Sequence, residues 1–210
     1  TSPAAGPIRA SNPCSEYMFL DDTACNLASL NLLQFKDAAT KNINIADYEH
    51  AVRLWTIVLE VSVMMAQFPS RQIAERSYEY RTLGLGYANI GGLLMSSGIP
   101  YDSTEGRAIA GALTAIMTGV SYATSAEMAS ELGPFPNFEP NRDNMLRVMR
   151  NHRRAAYGET TGYEALSVNP VALIHDECPD QTLIVHAKAA WDKAVALGEK
   201  HGYRNAQTTV

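Results

Sequence analysis

Residues 102–134 read DSTEGRAIAGALTAIMTGVSYATSAEMASELGP, and this stretch decides the fold class. Asp102-Ser103-Thr104-Glu105 places small side-chain oxygens where the first amides of a helix lack partners, with a carboxylate close behind, which is a capping signature. From 108 to 132 the chain is made of helix formers with no proline, until Gly133-Pro134 stops it. The longest helix of the chain is predicted there, and with it a mainly α protein with few short strands.

Outward from that helix the pattern stays helical over 36–202. On the N-terminal side, Asn44 or Asp47 can cap a helix in which Val52, Trp55, Leu59 and Val63 wrap most of the circumference, ending at Phe68-Pro69. Such a helix is expected to be buried on more than one side. Residues 83–95 hold Gly84, Gly86, Gly91 and Gly92, and read as a helix that another backbone approaches closely. On the C-terminal side, Pro134, Pro136 and Pro140 make a rigid connector, 141–156 reads as a basic-faced helix stopped by Gly158, and 160–169 reads as loop. Asp180 caps a last helix that runs to His201 and stops at Gly202, and 203–210 reads as the start of a strand.

The first 35 residues are different. Pro3, Gly6, Pro7 and Pro13 break any regular element, so this segment is expected to be extended or loop. Tyr17-Met18-Phe19-Leu20 reads as a short strand, Asp21-Asp22-Thr23 as a turn, and 24–35 as a second strand or a short helix.

Composition narrows the function. Twenty-two acidic against seventeen basic residues in a 210-residue chain give a formal charge of −5, so no broad positive field awaits a nucleic-acid polymer. Three cysteines, an odd count at irregular spacing, build no disulfide framework and point to a reducing, cytoplasmic setting. The longest apolar run, 54–68, is broken by Glu60 and Gln67, so no membrane association is expected. The opening residues lack an initiator methionine and a signal-peptide pattern, which suggests a fragment of a longer polypeptide.

The reactive side chains concentrate in Asn12-Pro13-Cys14-Ser15-Glu16, with Cys25 shortly after in Ala24-Cys25-Asn26-Leu27-Ala28-Ser29-Leu30-Asn31-Leu32. Pro13 restricts the backbone on both sides of itself, which suits a thiol that must be aimed. If the stretch is extended, residues 12, 14 and 16 share one face, because side chains alternate with period two. An amide, a thiol and a carboxylate on one face could bind a substrate hydroxyl, carry nucleophilic or radical chemistry, and remove a proton. A hydroxylated substrate such as a sugar fits. The competing reading is a buried structural cysteine.

These residues resemble the catalytic loop and following segment of the ribonucleotide reductase large subunit, most like its adenosylcobalamin-dependent class, and Arg81-Thr82-Leu83-Gly84-Leu85-Gly86 is similar to a further segment of that family. The resemblance implies that the chain is a helical fragment of an α/β ten-stranded barrel, 1–210 being one piece of the catalytic domain, with 1–35 its catalytic loop and strand region. It implies that Cys14 is the thiyl radical that abstracts the ribose 3′ hydrogen, Glu16 the base for the 3′ hydroxyl, Asn12 and Ser15 substrate-binding residues, and Cys25 one of two reducing thiols. The second thiol and the effector site would lie upstream; a phosphate-binding loop and shuttle cysteines would lie downstream, with 203–210 similar to the strand that leads to that loop. A ribonucleotide substrate, adenosylcobalamin and a thioredoxin-type reductant are implied for the complete enzyme. The fragment alone would be inactive, with residues 1–16 mobile or misplaced for want of sheet partners.

Other motifs weigh less. Gly84, Gly86 and Gly91 follow no alternating strand and lack dinucleotide-loop spacing, so helix packing is the expected role. His175-Asp176-Glu177-Cys178 has metal-ligand types but no second pair to complete a site, leaving Cys178 a bystander. Arg142, Arg147, Arg150, Arg153 and Arg154 with His152 are expected on a solvated face or against other parts of the parent protein. Met64, Met65, Met95, Met117, Met128, Met145 and Met149 are expected in the core. A noncatalytic helical interaction module is the alternative to the radical enzyme.

Overall fold

The longest helix forms where its capping signature puts it. In the structure, a computed structural model that describes residues 1–12, 17–40 and 42–209, helix α4 spans Thr104–Leu132. Numbered in chain order, the other helices are α1 (Ile45–Met65), α2 (Arg71–Tyr80), α3 (Ile90–Ser96), α5 (Arg142–Ala156) and α6 (Gln181–His201). Ser103 Oγ accepts from Gly106 N at 2.9 Å at the start of α4, and Gly133 ends it with φ +79. Asn44 caps α1 by accepting from Asp47 N, and Asp180 caps α6 by accepting from Thr182 N, the helix ending at Gly202 as read.

Helix α4 runs through the middle of the protein against α1 and α6. Gly119 sets how near α6 comes: a Cβ there would lie 2.9 Å from Ala190 Cβ, inside van der Waals contact, so only glycine permits this approach. Among the described residues α4 is the one helix long and apolar enough to cross a membrane, and 67% of its most apolar window is buried inside the protein. Two apolar clusters result. One joins α1, α3, α4 and the start of α6; the other gathers Tyr17, Phe19, Tyr80, Tyr122, Phe135, Phe138, Trp191 and Tyr203 around α4, α5 and α6.

Three strands pair in parallel in the order β1 (Asn26–Asn31), β2 (Leu83–Ala88), β3 (Thr208–Thr209). Parallel neighbours require long crossovers. The first carries α1 and α2; the second carries α3 to α6. Register pairs Ala28 with Leu85 and Leu30 with Tyr87 on the face that meets the helices, and Leu27 with Gly84 and Ser29 with Gly86 on the other. Asn26 Nδ2 donates to Leu59 O at 3.2 Å, fastening β1 to α1.

Several expectations change. Residues 83–95 are a strand and then a short helix: Leu83, Leu85 and Tyr87 alternate with Gly84, Gly86 and Ala88 at period two, and Asn89, at φ +69, turns the chain into α3. Gly84 and Gly86 therefore serve a sheet face rather than a helix contact. Tyr17-Met18-Phe19-Leu20 is not a strand; it is held by its aromatic rings, Phe19 meeting Tyr80 edge-on at 5.4 Å. The turn at Asp21-Asp22 and the strand β1 that follows agree with the reading, β1 running into a 3₁₀ turn at Leu32–Phe35. Helix α1 stops at Met65, before Phe68-Pro69, and only one side is covered: Tyr48, Val52, Leu59 and Val63 are buried, whereas Leu54, Trp55, Val58, Val61 and Met65 are exposed. Met117, Met145 and Met149 are core, but Met64, Met65 and Met95 lie at the surface. Residues 1–5 are tied rather than loose, with a 3₁₀ turn at Pro3–Ala5 and Ala4 N donating to Asn141 Oδ1 at 2.9 Å. The same expectation for residues 13–16 lies outside the described residues.

A buried ionic cluster binds the starts of β2 and β3 to α1. Glu60 Oε1 accepts from Arg81 Nε at 2.7 Å and from Arg204 Nε at 2.8 Å, and Glu60 Oε2 accepts from Asn205 Nδ2 at 2.7 Å. Asn205 also donates to Arg81 O and accepts from Ser125 Oγ on α4. Arg81 caps α2 in the left-handed region, at φ +50, a conformation that costs a non-glycine residue about 1–3 kcal/mol and persists because its surroundings fix it.

Candidate active site

Of the residues singled out in the sequence, Cys14, Ser15 and Glu16 lie outside the described residues; Asn12 and Cys25 lie within them. The residues on either side of 13–16 are joined. Asn12 N donates to Tyr17 O at 3.2 Å, and Tyr17 N donates to Asn12 Oδ1 at 3.0 Å. Asn12, read as a ligand for substrate hydroxyls, thus has its carbonyl oxygen engaged in closing the loop base.

Tyr17 is the anchor of that base. Its ring is buried against Phe19, and its hydroxyl lies 2.8 Å from Thr82 Oγ1 and 2.9 Å from Thr23 Oγ1. Thr23 Oγ1 donates to Leu20 O at 2.6 Å. Ala24 O and Leu20 O can only accept, so Thr82 donates to Ala24 O and Thr23 to Leu20 O, and the single Tyr17 proton serves the Thr82 or the Thr23 oxygen. Burial pushes the Tyr17 phenol above its usual range, the two threonine hydroxyls pull it back, and the neighbouring Cys25 adds to the rise. Tyr17 therefore stays a neutral hydrogen-bonding group at ordinary pH.

Cys25 immediately precedes β1 and is half-buried. Its sulfur lies over the β2 backbone at Gly84: a Cβ on Gly84 would sit 2.6 Å from Cys25 Sγ and 2.9 Å from Asn26 O. Ala24, the residue before it, is held from two sides, with Ala24 O 3.1 Å from Thr82 Oγ1 and Ala24 N donating to Ser77 Oγ at 3.0 Å. The Asn12–Tyr17 loop base and Cys25 are therefore brought together at one end of the sheet, through Thr82. Sequence reading missed Tyr17, Thr82 and Glu60, although Thr82 stands inside the Arg81–Gly86 motif and Tyr17 directly follows Asn12–Glu16; the Tyr17–Thr82 and Glu60–Arg204 pairs are distant in sequence and leave no local periodicity.

The secondary candidates go elsewhere. Cys178 is buried in the main core with its Sγ 3.3 Å from Asp180 O, and burial raises its thiol. His175 Nε2 meets Ala156 O at 2.9 Å, and no cluster of three metal-ligating side chains occurs among the described residues. On α5, Arg153 bonds Asp192, and Arg150 and Arg154 approach Glu164, whose carboxyl they hold below its usual range, Arg150's hydrogen bond leading. His152 stacks flat on Trp191 at 5.1 Å. The basic concentration is thus largely matched by acids of the chain itself.

A family model, ribonucleotide reductase, barrel domain, matches residues 1–210. The chain belongs to the ribonucleotide reductase barrel-domain family. A vitamin B12-dependent ribonucleotide reductase of Agrobacterium fabrum is 89% identical over 210 residues, and one of Bradyrhizobium diazoefficiens is 70% identical over 210 residues. A vitamin B12-dependent ribonucleoside-diphosphate reductase of Mycobacterium tuberculosis is 31% identical over 140 residues, 67% of this chain. The first two matches cover 100% of this chain but only 16% and 17% of those relatives, so the chain spans a minor part of their length. Within this barrel-domain chain, Cys14 and Cys25 stand in the segments that carried the resemblance, and Thr82 and Gly84 stand in the Arg81–Gly86 motif.

Proposed function

We propose that the whole protein reduces ribonucleotides to deoxyribonucleotides for DNA synthesis, and that residues 1–210 form one continuous part of its ten-stranded catalytic barrel. The observation that carries this reading is the joining of the Asn12–Tyr17 loop base to Cys25 through Thr82, which fits two thiols serving one substrate. In this reading Cys14, as a thiyl radical, takes the ribose 3′ hydrogen and later returns one; Glu16 accepts the 3′ hydroxyl proton; Asn12 and Ser15 contact the substrate. The 2′ C–O bond breaks and its oxygen leaves as water. Cys25 and a partner thiol supply the two electrons and two hydrogens, forming a disulfide that a thioredoxin-type reductant reopens. The reducing, cytoplasmic setting follows from that need.

Adenosylcobalamin, when bound, supplies the one-electron chemistry that makes a thiol into a thiyl. Clefts among the described residues lie between the N-terminal segment and α5, between α4 and α5, between α5 and α6, between α1 and α6, and beside α3, and neither Asn12 nor Cys25 lines these, so no step is derived through the cofactor. The exposed stripe on α1 would suit an interaction module, but that reading leaves the Asn12–Tyr17–Thr82–Cys25 arrangement without a purpose. In the full-length protein, Cys14→Ser is expected to abolish deoxyribonucleotide formation while ribonucleotide binding persists, and Cys25→Ser to block turnover. Normal product formation by Cys14→Ser overturns the reading.

A further inference from the structure

We propose that helix α2 positions the reducing thiol of Cys25, and that Ser77 is the positioning residue through which it acts. The inference rests on the role given to Cys25 under the proposed function and on no other reacting group. The ladder between β1 and β2 begins at the pair Asn26–Leu83, so Cys25 lies one residue outside it. A thiol in that place is located by whatever holds the residue before it. Ala24 N donates to Ser77 Oγ at 3.0 Å, and Ala24 O accepts from Thr82 Oγ1 at 3.1 Å. Both backbone polar groups of Ala24 are thus engaged by side-chain hydroxyls rather than by a neighbouring strand, and removal of one oxygen frees one bond.

Helix α2 is built as a holder more than as a core element. Among its residues only Ser77 and Tyr80 are buried. Its inner side grips the segment that leads to Cys25: Gln72 Nε2 donates to Asp22 Oδ2 at 2.7 Å, Arg76 Nη1 donates to Asp21 O at 2.8 Å, and the Tyr80 ring meets Phe19 edge-on at 5.4 Å. Residues 72, 76 and 80 follow at four-residue spacing and so share one side of the helix, with Ser77 next to them. Asp22, inside the gripped segment, is at φ +57, a conformation that a non-glycine residue keeps when its surroundings hold it there. Ser77 does not yield in turn. It is 3% exposed, and its carbonyl accepts at 2.8 Å from the amide of Arg81, whose guanidinium is paired with Glu60. Without the Ser77 hydroxyl the Ala24 amide loses its acceptor, and the chain before Cys25 is expected to shift until that amide reaches water. Where reacting groups must approach closely, an error of about 1 Å costs up to roughly a hundred-fold in rate.

The test compares Ser77→Ala and Ser77→Thr in the full-length protein with its cofactor and reductant. Ser77→Ala is expected to lower kcat about ten-fold with the KM for ribonucleotide within about two-fold of the parent, and to speed alkylation of Cys25 by iodoacetamide, followed by peptide mass. Ser77→Thr keeps the acceptor oxygen and is expected to bring kcat back to within about three-fold of the parent. Ser121→Ala is the control: Ser121 is 1% exposed, but its Oγ meets Thr56 Oγ1 at 3.3 Å between α1 and α4, so the same substitution there is expected to change neither kcat nor Cys25 alkylation. Should Ser77→Ala fail to fold, Gln72→Ala combined with Arg76→Ala removes the outer part of the grip and leaves the core intact, and is expected to slow turnover and speed Cys25 alkylation in the same directions. An unchanged kcat or alkylation rate in Ser77→Ala or in the Gln72–Arg76 double variant, a threonine variant as slow as the alanine, or equal slowing in Ser121→Ala overturns the proposal. Cys25→Ser is run alongside: normal turnover there defeats the underlying reading, whereas blocked turnover in Cys25→Ser beside a fully active Ser77→Ala defeats only the role of α2.

Discussion

Replacing Glu60 by alanine removes the sole carboxylate among the described residues that pairs with both Arg81 and Arg204. The side chain of Arg81 is 1% exposed and that of Arg204 14%, so Arg204 can swing its guanidinium toward water while Arg81 cannot. The loss is therefore dominated by one stranded buried charge, which costs about 3–5 kcal/mol. For a chain of this length each kcal/mol lowers Tm by about 2–4 °C, so Glu60→Ala is expected to melt roughly 6–20 °C below the parent. Urea unfolding followed by tryptophan fluorescence gives the free energy directly. Glu60→Met combined with Arg81→Met removes both charges and is expected to lose less than Glu60→Ala alone, because the penalty belongs to the unpaired guanidinium. A Glu60→Ala protein within about 0.5 kcal/mol of the parent, or a double variant equal to the sum of the single losses, refutes the reasoning.

Gly84→Ala introduces a Cβ 2.6 Å from Cys25 Sγ and 2.9 Å from Asn26 O, and because the second neighbour is backbone the variant is expected to lose about 1–3 kcal/mol and to alkylate Cys25 faster; parental stability with a parental alkylation rate contradicts this. Burial raises the phenols of Tyr17, Tyr48, Tyr122 and Tyr203, so below about pH 10 they add no pH dependence, and above it the unfolded chain releases protons that the folded chain keeps, making stability fall as pH rises. Phenolate absorbance is expected to rise in two phases, the second coinciding with unfolding, and a single phase complete before unfolding counts against the burial of these rings.

The helices were legible because their signals are local. Ser103, Asn44 and Asp180 stand next to the amides they cap, and Gly133 and Gly202 stand where the chain must leave the helix. The strand β2 was misread because glycine at alternate positions erases the hydrophobic contrast that marks a strand, leaving Leu83, Leu85 and Tyr87 as isolated peaks that fit a helix equally well. The exposed side of α1 was misjudged for a related reason: Leu54, Val58, Val61 and Met65 carry the apolar pattern of a covered face, and hydrophobicity alone does not say which partner covers it. In the candidate site, Asn12 and the cysteines were visible as residue types, but the bonds that fix the surroundings of Asn12 and Cys25 join Tyr17 to Thr82 and Glu60 to Arg204, pairs created only by the fold.

The two faces of the small sheet explain why glycines recur where the chemistry is proposed. One face, with Ala28, Leu30, Leu83 and Leu85, is pressed on α1 and the core and is as rigid as its packing. The other carries Leu27 and Ser29 opposite Gly84 and Gly86, with Cys25 at its start. Side chains large enough to rigidify that second face would fill the space the sulfur needs, so order has to come from behind and from the strand ends. The Glu60 cluster supplies it at the starts of β2 and β3, and Thr82 Oγ1 carries it to Tyr17 and Ala24. On the proposed function, such a site keeps the face that bears Cys25 open while its geometry is fixed by groups at the strand starts and behind the sheet. Its sensitivity to substitution is accordingly expected to peak at the buried polar residues around the strand starts, Glu60 and Thr82, rather than at the exposed Leu27.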